Sequence, residues 1–172
     1  MSDAGTQPER DDPVIPIGVL ARKVGLSVSA VRKYENECLI IAHRTVSGHR
    51  LFSQEDISRV RNIQHMIQDL GLNIEGIRRM QALLPCWDLF PCSEKTRKNC
   101  PAYQDETRPC WMTKGLDCAP QGNECRQCVV YRIGSLCTED IKRLLHDQND
   151  VQHPGAAIKE LLDRKRRSRK EG

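Results

Sequence analysis

A mainly α-helical fold is predicted for this chain, with a short β-hairpin and a small, irregular cysteine-rich segment. Three observations predict it. Apolar residues recur at helical spacing between Ile17 and Leu84, a basic extended stretch turns at Ser47-Gly48, and eight of the nine cysteines fall between residues 86 and 137. The chain has 172 residues, enough for one ordinary domain or a small one with an appendage.

Residues 1–14 contain Pro, Gly, Asp and Glu without periodicity and read as a disordered tail. Ile17, Leu20, Ala21 and Val24 give a first helix one buried stripe, and Gly25 supplies its left-handed stop. Ser27 or Ser29 can cap a second helix running to about Glu37, with Val31 facing inward. That helix carries Ser29, Arg32, Lys33 and Tyr34, residue types that hydrogen-bond phosphates and base edges. A helix, a tight turn and a second basic helix predict a helix-turn-helix. The hairpin adds a wing bearing Arg44, His49 and Arg50 and ending at Phe52. Ser53 and Asp56 then resemble a capping box for a third helix, whose stripe is Ile57, Val60, Ile63, Ile67 and Leu70. After Gly71, Asn73 can cap a fourth helix with Ile74, Ile77, Met80 and Leu84 inward. The expected unit is therefore a winged helix-turn-helix of four helices over residues 15–84.

Net charge is +4, too mild to predict nucleic-acid binding alone. Its distribution says more: residues 17–84 carry ten Lys/Arg against six Asp/Glu, and residues 1–16 carry one against four. The basic excess lies on the segment that would meet phosphates. No apolar run approaches the roughly 18 to 20 residues that span a bilayer, and the acidic N-terminus does not read as a signal peptide. The expected compartment is cytoplasmic, with no membrane partner. Nine cysteines in a reducing compartment point to metal or cluster ligation rather than structural disulfides.

Three stretches, IGVLARKVGLSVSAVRKYE, SGHRLFSQEDISRV and IQDLGLNIEGIRRM, occur in the order seen in MerR-type transcriptional regulators, and the chain resembles that family over about Ile15 to Leu84. Lys33-Tyr34 stands where the family usually has paired tyrosines, and His49 where it usually has an aromatic. The resemblance implies double-stranded operator DNA as ligand, homodimerisation, and RNA polymerase as a further partner. It implies DNA contacts from Ser29, Arg32, Lys33, Tyr34, Arg44, His49 and Arg50, with Ser29 nearest a base edge. Pro85 forbids continuation into the long dimer helix of many members, and residues 53–84 look closest to the branch that represses heat-shock genes.

Between residues 85 and 137 little aliphatic material is available to build a core. Five of the seven aromatic residues lie here, and acidic and basic charges balance six against six from Cys86 to Tyr131. Such a segment gains order through cross-linked or metal-sharing thiolates with aromatics packed round them. Cys86-Trp87, Cys100-Pro-Ala-Tyr103, Cys110-Trp111 and Cys125-x-x-Cys128-x-x-Tyr131 resemble a small bacterial cysteine-rich module marked by two Cys-Trp pairs. Candidate ligands are Cys86, Cys92, Cys100, Cys110, Cys118, Cys125 and Cys128; Cys137 falls outside the resemblance. Three chemistries stay open. An iron–sulfur cluster takes four cysteines at irregular spacing, and Cys100-Pro101 echoes cluster-binding runs. Zinc prefers close pairs, of which Cys125/Cys128 is one. The same pair can form a reversible disulfide switch. His43, His49 and His65 read as surface residues, and Cys38 as core.

Residues 138–172 offer helices at Thr138–Asp147 and Ala156–Lys165, then a basic run from Arg164 to Lys170 that suits either a phosphate-binding arm or a solvated end. No Gly-rich nucleotide loop or Ser/His/Asp arrangement appears, so no catalytic residues are assigned. The expectation is a non-enzymatic, DNA-binding transcriptional regulator whose cysteine segment holds a cluster or metal and modulates binding. The alternatives are structural zinc in a partner-binding module without sensing and, more remotely, a cluster or dithiol oxidoreductase.

Overall fold

The structure is a computed structural model that describes residues 9–89, 92–105, 107–113, 116, 118 and 124–134. Two compact units divide between Gln64 and His65. The predicted helices at Thr138–Asp147 and Ala156–Lys165, the basic run and Cys137 lie outside the described residues, as do residues 1–8 of the expected tail.

The first unit runs β1 (Ile15–Pro16), α1 (Ile17–Val24), α2 (Val28–Asn36), β2 (His43–Arg44), β3 (Arg50–Phe52) and into α3 (Gln54–Gln68). Its sheet is antiparallel in the order β1-β3-β2, with Ile15 opposite Phe52, His43 opposite Leu51 and Arg44 opposite Arg50. The wing thus gains a third strand that the sequence does not announce, since two residues ending in proline carry no alternation to read. Glu9–Val14 is also tied down: Arg10 Nε pairs with Glu55 Oε1 at 2.8 Å, and Glu55 N–H donates to Arg10 O.

Each predicted punctuation mark has a physical counterpart. Gly25 has φ 67°, and Leu26 N–H reaches back to Ala21 O at 2.9 Å, a left-handed helix stop. Ser27 Oγ accepts from Ala30 N–H at 3.1 Å and caps α2. Ser53 N–H and Oγ both donate to Asp56 Oδ2, while Asp56 N–H donates to Ser53 Oγ, so aspartate completes the capping box at the start of α3. Leu20, Val31, Leu39, Ile40, Phe52, Ile57, Val60 and Ile63 are buried, each worth about 1.5–3 kcal/mol of apolar transfer. Within the α3 stripe, burial passes from Ile63 to Met66, while Ile67 and Leu70 are half-buried.

The end of α2 departs from expectation. Cys38, read as core, is half-buried and takes φ 55°. It occupies the left-handed position of a Schellman stop: Cys38 N–H donates to Glu35 O and Leu39 N–H to Tyr34 O, both at 2.9 Å. This turn sends Leu39 and Ile40 into the core, where Leu39 O accepts from buried Arg59 Nε at 2.6 Å.

The second unit takes in the last turn of α3, then α4 (Ile74–Ala82), α5 (Cys86–Leu89), α6 (Glu94–Lys98), α7 (Pro101–Gln104), two 3₁₀ turns (Cys110–Met112 and Cys125–Gln127) and α8 (Val129–Ile133). Asn73 Oδ1 caps α4 by accepting from Gly76 N–H at 2.7 Å. Its buried residues are Met66, Ile77, Gln81, Leu84, Trp111, Leu116, Val130, Tyr131 and Ile133. The fourth helix of the winged unit therefore supplies core to the cysteine-rich unit.

A non-glycine residue in the left-handed region costs roughly 1–2 kcal/mol. Cys38→Gly should therefore raise stability by about 0.5–1 kcal/mol after the entropy of the added glycine, read as a higher urea midpoint at unchanged slope. An unchanged or lower midpoint contradicts the strain assigned to Cys38.

Candidate nucleic-acid interface and thiol centre

In α2, Ser29, Arg32 and Lys33 are exposed and share one face, because their spacing is three and four residues. Asn36 extends the same face one turn further and is exposed. Sequence reasoning overlooked it, although its seven-residue offset from Ser29 is the signal. Asn can read an adenine edge, and Arg can read guanine or phosphate. Ser29 Oγ lies 2.8 Å from Ser27 Oγ, so the residue expected nearest a base also belongs to the cap. Tyr34 is half-buried, and burial pushes its hydroxyl pKa up, keeping it a neutral donor.

The wing arginines are organised by a residue that sequence reasoning did not select. Arg44 and Arg50 face each other across the β2–β3 ladder, where like charges repel. Glu35, on α2, accepts from both: Arg44 Nη2 at 2.8 Å and Arg50 Nε at 2.6 Å. Its side chain is only 12% exposed. One carboxylate thereby fixes two cations and the angle between recognition helix and wing. Arg44 remains 53% exposed and Arg50 29%, so each keeps guanidinium surface for a phosphate. His49 is exposed near the turn, where its N–H donates to Thr45 Oγ1 at 3.0 Å. Gly48, with φ 82°, closes that turn.

In the second unit Cys86 opens α5, Cys92 precedes the Ser93 cap of α6, and Cys100 is the N-cap of α7. Cys110 opens the first 3₁₀ turn, Cys125 opens the second, and Cys128 is the N-cap of α8. These six and Cys118 are half-buried, and none of the described cysteines forms a disulfide. Burial, reinforced by Cys100, Cys92 and Cys118, pushes the Cys86 thiol up to about 11. Burial also raises the Cys110 thiol, reinforced by Cys86, Cys128, Cys125 and Cys118, and raises Cys118 and Cys125 as well. These thiols are neutral at pH 7 unless a cation displaces their protons. Among the described residues, no three His, Cys, Asp or Glu side chains already stand at the spacing of a single bound ion. Cys110, Cys118, Cys125 and Cys128 instead line one cavity of about 30 Å³ together with Trp111, Leu116 and Tyr131.

The aromatics pair as the sparse core requires. Trp87 meets Tyr103 edge-on at 5.0 Å and 81°, and Trp111 meets Tyr131 at 5.3 Å and 90°, each worth roughly 0.5–1.5 kcal/mol beyond burial. Gln81 ties α4 to this assembly: its Nε2 donates to Gly134 O at 2.7 Å. Gly134 must remain glycine because a Cβ there would lie 2.6 Å from Trp111 Cη2.

A helix-turn-helix with a three-stranded wing, carrying an exposed basic face on its second helix, defines the first unit. Residues 15–84 match the family model described as MerR HTH family regulatory protein, and this segment is a MerR-family helix-turn-helix domain. The chain is 37% identical over 70 residues to the "Putative heat shock protein HspR" of Streptomyces coelicolor, covering 41% of this chain and 46% of that protein. It is 35% identical over 71 residues to the "HTH-type transcriptional regulator GlnR" of Bacillus cereus, covering 41% and 54%. It is 32% identical over 80 residues to the "Mercuric resistance operon regulatory protein" of Bacillus cereus, covering 43% and 60%. The chain thus spans about half the length of the first two of these relatives. Among the described residues no helix is long and apolar enough to cross a membrane.

Glu35→Gln removes the charge that reconciles Arg44 with Arg50. It should cost about 1–2 kcal/mol, between the values for exposed and buried pairs, and should speed amide exchange at Thr45 and His49. Exchange equal to wild type at both amides would show that the wing holds without Glu35. Gly134→Ala should cost roughly 1–3 kcal/mol through overpacking and shift tryptophan emission as Trp111 moves; unchanged emission and stability contradict the close packing.

Proposed function

We propose that this protein is a sequence-specific, DNA-binding transcriptional regulator whose cysteine-rich unit holds an iron–sulfur cluster or a metal ion and adjusts DNA binding. The observation that carries the DNA-binding reading is the basic surface formed by Arg32 and Lys33 on α2 with Arg44 and Arg50 held beside them by Glu35. Relatives with the same domain are named as transcriptional regulators. In this reading a homodimer places two copies of α2 in successive major grooves, with each wing along the flanking backbone.

The sensing half rests on the grouped, half-buried thiols, which a bound cation would ionise. A relative named for mercuric resistance joins this type of domain to a metal-linked role. Within the second unit Gln81 links α4 to the thiol centre: a change around Trp111 reaches α4 through Gly134. The 3₁₀ turn joining Cys125 to Cys128 favours one further reading, structural zinc that folds the unit without sensing.

Selection from a random-core duplex library should enrich one sequence with two related halves. On that duplex, Arg32→Ala and Arg50→Ala should each weaken binding and lower the slope of log affinity against log salt by about one. Equal affinities and slopes for wild type and both variants would sink the assigned interface. Anaerobic protein with stoichiometric iron and sulfide, and DNA affinity that differs between cluster states, supports sensing. Zinc-loaded protein whose affinity ignores redox state favours the structural reading.

A further inference from the structure

The cysteine-rich unit repeats itself. Pro85-Cys86-Trp87 and Pro109-Cys110-Trp111 open two stretches, and Cys100-x-x-Tyr103 and Cys128-x-x-Tyr131 close them. The likeness extends to the backbone. Cys86 and Cys110 each begin a short helical turn after proline. Cys100 and Cys128 are both extended N-caps of a short helix, at φ −79° ψ 118° and φ −67° ψ 135°. Before each, one turn is closed by the same bond, Cys100 N–H to Arg97 O and Cys128 N–H to Cys125 O, both at 3.1 Å. In each stretch the opening tryptophan meets the closing tyrosine edge-on at nearly the same separation. Shared order, backbone bond and ring geometry mark two copies of one structural element.

The copies differ where ligation would be decided. Cys86, Cys92 and Cys100 correspond to Cys110, Cys118 and Cys128, but the fourth thiol of the second copy, Cys125, has Arg97 as its counterpart. Arg97 Nε is buried with no hydrogen-bond partner among the described residues. A guanidinium there puts a fixed positive charge in the copy that has only three thiols. In the second copy all four thiols line one small cavity, walled by Trp111 and Tyr131.

From this we infer that the unit is a tandem duplication with one complete thiophilic metal site, formed by Cys110, Cys118, Cys125 and Cys128, and that Arg97 has replaced the fourth ligand of a second such site. Each Sγ–H proton passes to solvent as its Sγ–metal bond forms, and sulfur does not change oxidation state. The occupant is one zinc ion, or one cluster assembled from ferrous and ferric iron with inorganic sulfide, so that no electrons are transferred. The inference rests on the metal-binding half of the proposed function and goes beyond it in naming the ligands and their number.

The test measures zinc, iron and sulfide per chain in anaerobically purified full-length protein, with cobalt(II) as a spectroscopic probe added to protein stripped of metal. Wild type should hold one centre. The triple variant Cys86→Ser, Cys92→Ser, Cys100→Ser should keep it, and Cys125→Ser should lose it. Arg97→Cys should gain a second centre, doubling metal and the thiolate-to-cobalt absorption, a gain that misfolding cannot imitate. Alkylation of wild-type protein followed by mass spectrometry should show protection by metal at the four named cysteines, independent of any variant. Absence of all metal from wild type defeats the metal-binding reading itself. Metal retained in Cys125→Ser but lost from the triple variant leaves that reading standing and overturns the ligand set. A single centre in Arg97→Cys overturns the equivalence of the copies.

Discussion

Residues 86–134 are poor in aliphatic side chains, and that shortage shapes the second unit. Leu89, Leu116, Val129, Val130 and Ile133 are the branched aliphatics described there, far short of the core that stabilises a domain of ordinary size. Three substitutes make up the difference. Edge-on aromatic pairs hold large rings at fixed angles, with Trp111 and Tyr131 buried, thiols crowd where methyl groups would otherwise pack, and α4 contributes Ile77, Gln81 and Leu84 from the neighbouring sequence. Thiols packed in this way remain protonated, and a metal bound as proposed would convert the same side chains from weak core into cross-links.

The first unit meets the opposite problem. Its core is ample, and its difficulty is electrostatic, because a surface suited to phosphates must hold cations close together before any phosphate arrives. Glu35 answers this for Arg44 and Arg50. The carboxylate is nearly enclosed, so it acts at an effective dielectric well below that of water. It also leaves the trio with net positive charge, which suits a polyanionic ligand.

Much of the first unit was legible in the sequence because local chemistry writes it twice, once in the apolar stripe and again in the punctuation. Gly25, Ser27, and Ser53 with Asp56 each mark a boundary that the structure keeps, as does Asn73 at the start of α4 in the second unit. What escaped depends on tertiary proximity. Glu35 looks like an ordinary helix charge until the hairpin brings two arginines to it, nine and fifteen residues away. Strand β1 is too short to show a period, and the strain at Cys38 is a backbone property of a residue that otherwise resembles core. In the cysteine-rich unit the candidate ligands could be named from spacing. Their division into two sets could not, because the correspondence of Arg97 with Cys125 is visible only once their backbone turns are compared.

The partition of the chain inside α3 bears on how such proteins can be assembled and rearranged. The family domain extends to residue 84, yet α4 packs as part of the thiol-bearing unit. A cut after Leu84 would strip Gln81 of its Gly134 acceptor and uncover Leu84. The cysteine-rich segment is therefore not a cassette that can be detached at the domain boundary and attached to another carrier. A transplant that keeps this packing intact carries α4 with it, so the structural joint lies within the preceding helix and not at residue 84.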